Sequence, residues 1–128
     1  MSQLNVDSIK DRTGANQPDI VGAAKAFVNF DGTGNVTIRN GFNVSSITDN
    51  GTGNYTVNFT NAMPDADYVV SLAEVGNTIV PSTSTNPSFI DVASYSASNL
   101  TVRTFKFLGS GNDTIVEDIA SVFVTIHK

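Results

Sequence analysis

The sequence contains no cysteine and no tryptophan, and charged residues make up only 15% of its 128 residues. Without cysteine, the chain has no disulfide framework, no thiol catalysis and no cysteine-type zinc site. The charged fraction lies well below the share of about 25% that is usual in soluble proteins. Asn, Ser and Thr together make up about a third of the chain. We therefore expect hydroxyls and amides, rather than charges, to solvate much of its surface.

Positive charge is scarce as well, since seven basic residues stand against twelve acidic ones for a net charge of −5. The basic residues are scattered, and no basic stripe is present to neutralise phosphates, which argues against nucleic-acid binding. The acidic balance also argues against anionic membranes. No run approaches the roughly 18 apolar residues of a membrane span, and the N-terminus lacks the apolar region of a signal peptide. We expect synthesis in a cytosol, with any extracellular life reached by lysis or by assembly into a particle.

Patterns that carry catalysis or hold metals are also missing. His127 is the only histidine, and no nucleophile motif or zinc-binding motif accompanies it. Glu117 and Asp118 are adjacent, so on a strand they would point to opposite faces and could not act as a carboxylate pair. The spacing of Asp65 and Asp67 does not match a calcium-binding loop. We predict no enzymatic activity, no catalytic residue, no metal site and no cofactor.

From Ala24 onward the chain shows the pattern of β-strands separated by polar turns. In YTVNFT (55–60), apolar and polar residues alternate with the period of a half-buried strand. The phrases DGTGN (31–35) and NGTGN (50–54) lack the lysine and the helix of a phosphate loop, and are predicted to be hairpin turns. Asn40-Gly41 is predicted to be a further turn. Strands are predicted over 24–30, 36–39, 42–48, 55–60, 67–75, 89–95, 100–108 and within 117–128, where a helix over 115–124 is the alternative.

Seven to nine short strands with no convincing helix predict an all-β fold, an antiparallel β-sandwich or a jelly-roll-like head. We divide the chain into an extended N-terminal arm and linker (1–22) and a β-sandwich head (23–128). The arm contains the apolar residues Leu4, Val6 and Ile9, and the family resemblance given below implies that they attach the protein to a particle.

Two late strands carry apolar residues on both of their faces. Leu100 and Val102 are expected to face one side of their strand, and Phe105 and Phe107 the other. Phe123 lies between apolar neighbours. A bulge or burial between two sheets explains such a pattern, and a subunit interface explains it equally well. The candidate interface residues are Phe105, Phe107, Val122, Phe123 and Val124.

The stretch AKAFVNFDGTGNVTIRNGFNVSSITDNGTGNYTVNFTNAMPDADYVV (24–70) resembles a module of tail-fibre and related virion proteins from marine and cyanobacterial bacteriophages. The segment FNVSSITDNGTGNYTVNFTNAMPDADY (42–68) is its longest and most specific part. Phe27 stands where that family usually has tryptophan, and the similarity fades after residue 75. The start, SQLNVDSIKDRTG, is similar to N-terminal segments of phage fibre proteins. The resemblance implies a virion protein with a β-rich head, forming a homotrimer.

Two functions are compatible with this resemblance. The first is a trimeric fibre or fibre-tip protein, bound through its arm to a capsid, tail or adaptor protein and contacting the host surface, including its glycans. The loops expected to bind that receptor contain Asn86, Phe89, Tyr95 and Asn99. The second is a capsid decoration or cement protein that stabilises the head without a receptor. The short chain favours the second function, whereas the family resemblance favours the first.

Overall fold

The computed structural model describes residues 24–75, 88–108 and 113–128. These three ranges contain nine β-strands and no helix. The strands are β1 (Ala24–Asp31), β2 (Thr37–Phe42), β3 (Val44–Asp49), β4 (Asn54–Phe59), β5 (Val69–Val75), β6 (Ser88–Tyr95), β7 (Asn99–Phe107), β8 (Thr114–Val116) and β9 (Ser121–His127).

The strands form two antiparallel sheets that pack face to face. The first sheet has the strand order β2-β1-β9-β5, and the second has the order β3-β4-β7-β6. The short strand β8 pairs with the last residues of β7, on the side where β4 pairs with the first residues. This arrangement confirms the predicted antiparallel β-sandwich. It also confirms a strand rather than a helix near the C-terminus, whereas the predicted arm lies outside the described residues.

Alternation along the strands builds the core between the two sheets. The central strands of each sheet, β1 and β9 in the first and β4 and β7 in the second, direct every other side chain inward. Burial of these side chains is the main stabilising contribution, at about 25 cal/mol per Å² of apolar surface. The buried apolar residues are Ala26, Val28, Phe30, Tyr55, Val57, Phe59, Met63, Leu100, Val102, Ile119, Val122, Val124 and Ile126.

Both glycine-rich phrases form turns at one end of the sandwich, here called the glycine-rich end. The prediction of two hairpin turns is therefore confirmed, since the turns join β1 to β2 and β3 to β4. Gly53 has a φ of 62°, and a Cβ atom there would lie 2.6 Å from the carbonyl oxygen of Thr104. Only glycine satisfies both the left-handed backbone and this close approach.

The prediction of a turn at Asn40-Gly41 is wrong, because both residues lie within β2. The chain instead passes from the first sheet to the second at Asn43, a non-glycine residue with a φ of 54°. Its side-chain amide donates to the carbonyl oxygens of Lys25 and Asn61, each at 3.1 Å. Asparagine is one of the few non-glycine residues that adopt the left-handed region, and these two bonds to distant residues hold its side chain in place.

Burial predicts unequal effects for the same substitution at two leucines, one within β7 and one just beyond its end. Leu100 is buried, whereas Leu108 is exposed. We expect Leu100→Ala to lower the free energy of unfolding by about 2–5 kcal/mol, because it removes buried methyl groups and leaves a cavity. The matched control Leu108→Ala should change it by less than about 0.5 kcal/mol. Urea denaturation measures both, and equal effects would contradict the assigned core.

Candidate functional site

The four residues predicted for receptor binding do not form one site. Asn86 lies outside the described residues. Phe89 and Tyr95 lie near opposite ends of β6, where they pair with Phe105 and Leu100 respectively. Six residues of strand span about 20 Å. Tyr95 and Asn99 therefore lie at the end opposite the glycine-rich end, far from Phe89.

At that opposite end, the exposed ring of Tyr95 contacts the ring of Tyr68, with centroids 6.0 Å apart. The Tyr68 hydroxyl donates to the carbonyl oxygen of Ser96 at 2.9 Å. The two rings thus close the end of the sandwich around the turn between β6 and β7. A role of Tyr95 in receptor binding stays a prediction.

The predicted interface residues divide among three environments, which corrects the proposed set. Val122 and Val124 are only 0% and 1% exposed and lie in the core, so neither is available to a second chain. Phe123 points the other way, to the outer face of the first sheet. Phe105 and Phe107 lie on the outer face of the second sheet. Leu4, Val6 and Ile9, the predicted attachment residues, lie outside the described part of the chain.

The carboxylate of Asp118, at the glycine-rich end, joins a side chain and a turn of the second sheet. Its Oδ1 accepts hydrogen bonds from the Tyr55 hydroxyl at 2.6 Å and from the Gly53 amide at 2.8 Å. The Tyr55 oxygen also lies 2.9 Å from the carbonyl oxygen of Gly32. The Gly32 amide in turn donates to the carbonyl oxygen of Ile119 at 2.9 Å. We call this network the Asp118 junction; it joins three turns from both sheets.

Electrostatics at the junction favour a structural role. Burial, together with the hydrogen bond to Asp118 and the negative charge of its carboxylate, raises the pKa of the Tyr55 hydroxyl far above its ordinary value. Tyr55 is fully buried, so its hydroxyl meets no substrate. A protonated, inaccessible hydroxyl stabilises the fold and performs no acid–base chemistry.

The outer face of the second sheet carries an apolar strip near the glycine-rich end. The strip consists of Phe89, Phe105, Phe107 and Val116. Phe105 is directly opposite Phe89 on one side and Val116 on the other, and the two phenylalanine rings stack with centroids 4.9 Å apart. Phe89 is 39% exposed and Val116 is 46% exposed. Partly exposed apolar side chains of three neighbouring strands therefore lie side by side on this face.

Further along the same face, the strip gives way to polar side chains. Arg103 forms a two-point hydrogen-bonded ion pair with Asp91, at 2.7 and 3.1 Å. Beyond it, the hydroxyls of Thr56 and Thr101 hydrogen-bond to each other at 2.9 Å. The outer face of the second sheet is therefore apolar at one end and hydroxyl-rich at the other.

The outer face of the first sheet carries a cleft of about 210 Å³. Phe27 and Phe123 wall it, Asn29 lies between them, and Asn40 and Thr125 complete its polar lining. Val28 and Val124 line the remainder. We call this feature the outer cleft. Phe27, which is 37% exposed, gives the cleft an aromatic wall that is open to solvent.

Sequence reasoning missed the outer cleft, although a signal for it was present. AKAFVNF (24–30) places Ala26, Val28 and Phe30 on one face, which leaves Phe27 with Asn29 on the other. An aromatic residue beside an amide on the solvent face of a strand indicates a surface contact. The strand pairing that brings Phe123 next to Asn29 is a long-range fact that no local pattern contains.

Comparisons with known proteins found no match for this chain. No family model matches the chain, and neither a curated protein nor a solved structure matches it. Within the described ranges, no group of three or more His, Cys, Asp or Glu residues could hold a metal ion. No helix long and apolar enough to cross a membrane occurs in the same ranges. The fold defines the protein as an antiparallel β-sandwich.

The Asp118 junction predicts that Tyr55→Phe lowers the free energy of unfolding by about 1–3 kcal/mol, because the half-buried carboxylate loses a donor. The control Tyr95→Phe removes an exposed hydroxyl and should change it by less than about 0.5 kcal/mol. Urea denaturation of both variants at neutral pH measures this difference. A Tyr55→Phe variant as stable as the parent protein would contradict a stabilising role of the junction.

The raised pKa of Tyr55 also predicts a dependence on alkaline pH. Above about pH 10, a tyrosine ionises in the unfolded chain, while Tyr55 keeps its proton in the folded chain. Its contribution to stability is present below that pH and is lost as pH rises, by about 1.4 kcal/mol per pH unit. Burial also raises the pKa of Tyr68, which adds to the loss of stability at high pH. Tyr55→Phe should therefore show a shallower loss of stability at high pH than the parent protein.

Proposed function

We propose that the protein is a structural virion protein of a bacteriophage, a homotrimeric fibre or fibre-tip protein that contacts the host surface. The similarity of residues 42–68 to a phage fibre module supports this proposal. The β-sandwich supports it as well, since a rigid slab can present two independent surfaces. The protein acts in the virion by binding other virion proteins and the host, and it catalyses no reaction.

The observation that carries the proposal is the apolar strip. Phe89, Phe105 and Val116 lie side by side on three neighbouring strands. The shape of the strip is therefore set by strand pairing and not by a loop. Burying this strip against sister copies would remove it from water, which is the usual reason for such a patch on a subunit. Phe105 and Phe107 therefore remain the proposed trimer contacts.

Self-association through the strip predicts opposite outcomes for one substitution at two valines. Val116 lies in the strip, whereas Val69 lies on β5 in the other sheet, and both are exposed. Val116→Lys places a charge against an apolar partner and should convert a trimer into monomers. Val69→Lys should leave the trimer intact. Sedimentation equilibrium measures the mass, and circular dichroism verifies the fold of both variants.

A monomeric parent protein at micromolar concentration would contradict the proposed trimer. The same mass for both variants would contradict the strip as its interface.

The site of action distinguishes a fibre from a capsid decoration protein. A fibre protein should be found on the tail or fibres of the particle in a few copies. Purified protein should then reduce phage adsorption to the host. A decoration protein should cover the head in many copies and leave adsorption unchanged. Electron microscopy of antibody-labelled particles and an adsorption assay separate the two, and binding at neither place would refute both.

A further inference from the structure

The outer cleft combines two aromatic walls with a polar floor. Phe27 pairs with Thr125, and Asn29 pairs with Phe123, so the two rings occupy one diagonal of the strand pair and the two polar residues occupy the other. Phe42 extends the aromatic wall, since its ring stacks beside that of Phe27 with centroids 6.0 Å apart. Phe27 is 37% exposed and Phe42 is 54% exposed.

The floor of the cleft contains an acceptor that the protein does not satisfy. The side-chain oxygen of Asn29 is buried and has no hydrogen-bond partner within the described structure, although Asn40 lies directly opposite on β2. Such atoms are uncommon in folded proteins and call for a specific explanation. The terminal amide torsion of asparagine has a broad range, and rotation about it is the route by which this oxygen would reach a ligand in the cleft.

We propose that the outer cleft binds one neutral pyranose ring of a host-surface carbohydrate. Sugar rings present C–H faces that pack on the electron-rich faces of aromatic rings, and their hydroxyls donate to an acceptor such as Asn29 Oδ1. Thr125 and Asn40 can donate or accept further hydrogen bonds. The inference deepens the proposed host contact and rests on it for the origin of the sugar, but sugar binding itself is a property of the isolated protein.

Charge and size narrow the ligand. None of the residues that line the cleft carries a charge, and the chain has a net charge of −5, so an anionic sugar gains nothing there. The volume of about 210 Å³ lies below the range of about 300–1,000 Å³ that accommodates drug-sized ligands. One ring fits the cleft, and the rest of a glycan would lie outside it.

A second copy of the chain is a poorer occupant of the cleft than a sugar. An apolar interface would cover Asn29 Oδ1 without supplying a donor, which leaves its desolvation uncompensated. The apolar strip lies on the opposite outer face of the sandwich. In a trimer closed on the strip, the first sheet faces away from the sister copies, and the cleft stays open to solvent.

The test is a titration of the purified full chain with D-glucose, D-galactose, D-mannose and N-acetyl-D-glucosamine, followed by ¹⁵N–¹H NMR. D-glucuronate serves as the charged control. At least one neutral sugar should give saturable shifts at the side-chain amide of Asn29 and along β1 and β9. Glucuronate should bind at least tenfold more weakly.

Two matched pairs of variants locate the site. Phe123→Ala should weaken sugar binding at least tenfold, whereas Leu108→Ala, at an exposed residue just beyond the end of β7, should leave it unchanged. Asn29→Leu should also weaken it at least tenfold while keeping or raising the urea midpoint, because it removes an unsatisfied buried acceptor. Asn58→Leu, on the second sheet, should not affect binding. If Asn29 had only a structural role, its replacement would not weaken sugar binding while the urea midpoint stayed the same or rose.

Several results would overturn the proposal. These are the absence of saturable shifts with every neutral sugar, shifts at Tyr95 and Asn99 in place of the cleft, and cleft shifts that follow protein concentration instead of sugar. The last result would assign the cleft to self-association. Because no phage particle is involved, failure here leaves the virion assignment standing, and failure to find the protein in virions leaves sugar binding standing.

Discussion

The described structure depends on one carboxylate at the place where its two sheets meet. Asp118 stands in the connection between β8 and β9, where the chain leaves the second sheet for the first. There it accepts from the buried Tyr55 hydroxyl and from the Gly53 amide. Hydrogen bonds to charged groups contribute about 1.5–3 kcal/mol each, more than a neutral pair on the surface. The junction therefore closes one end of the core and sets the crossing of the chain between layers.

The junction also explains why two glycine-rich turns occur at the same end of the sandwich. A Cβ atom at Gly32 would lie 2.6 Å from the Tyr55 hydroxyl, and one at Gly53 would lie 2.6 Å from a backbone oxygen of Thr104. Each turn must approach the buried tyrosine or its neighbours closely. The repeated sequence phrase thus reflects a shared packing requirement, beyond the ordinary preference of hairpins for glycine.

Local patterns predicted the strands well because period-two alternation reports burial directly, as at Tyr55 and Val57 on β4. Local patterns failed where a contact between distant residues decides the outcome. Asn40-Gly41 resembles a turn, yet pairing with β1 keeps it extended. Val122 was predicted to lie at a subunit interface because neighbouring residues in the sequence do not reveal its packing against the other sheet. The outer cleft was missed for the same reason, since its walls are 96 residues apart.

A sandwich has two parallel outer faces, and this geometry limits how its apolar surfaces can be used. If both faces bound sister copies, each copy would be displaced from the last by translation, and the assembly would grow into an open stack. In the proposed trimer, with the three strips meeting around one axis, the first sheet of each copy stays open to solvent. The apolar strip lacks an unsatisfied polar atom among its described contacts and suits a dry subunit contact. The outer cleft, with the unpaired oxygen of Asn29, suits a ligand that brings its own hydrogen-bond donors.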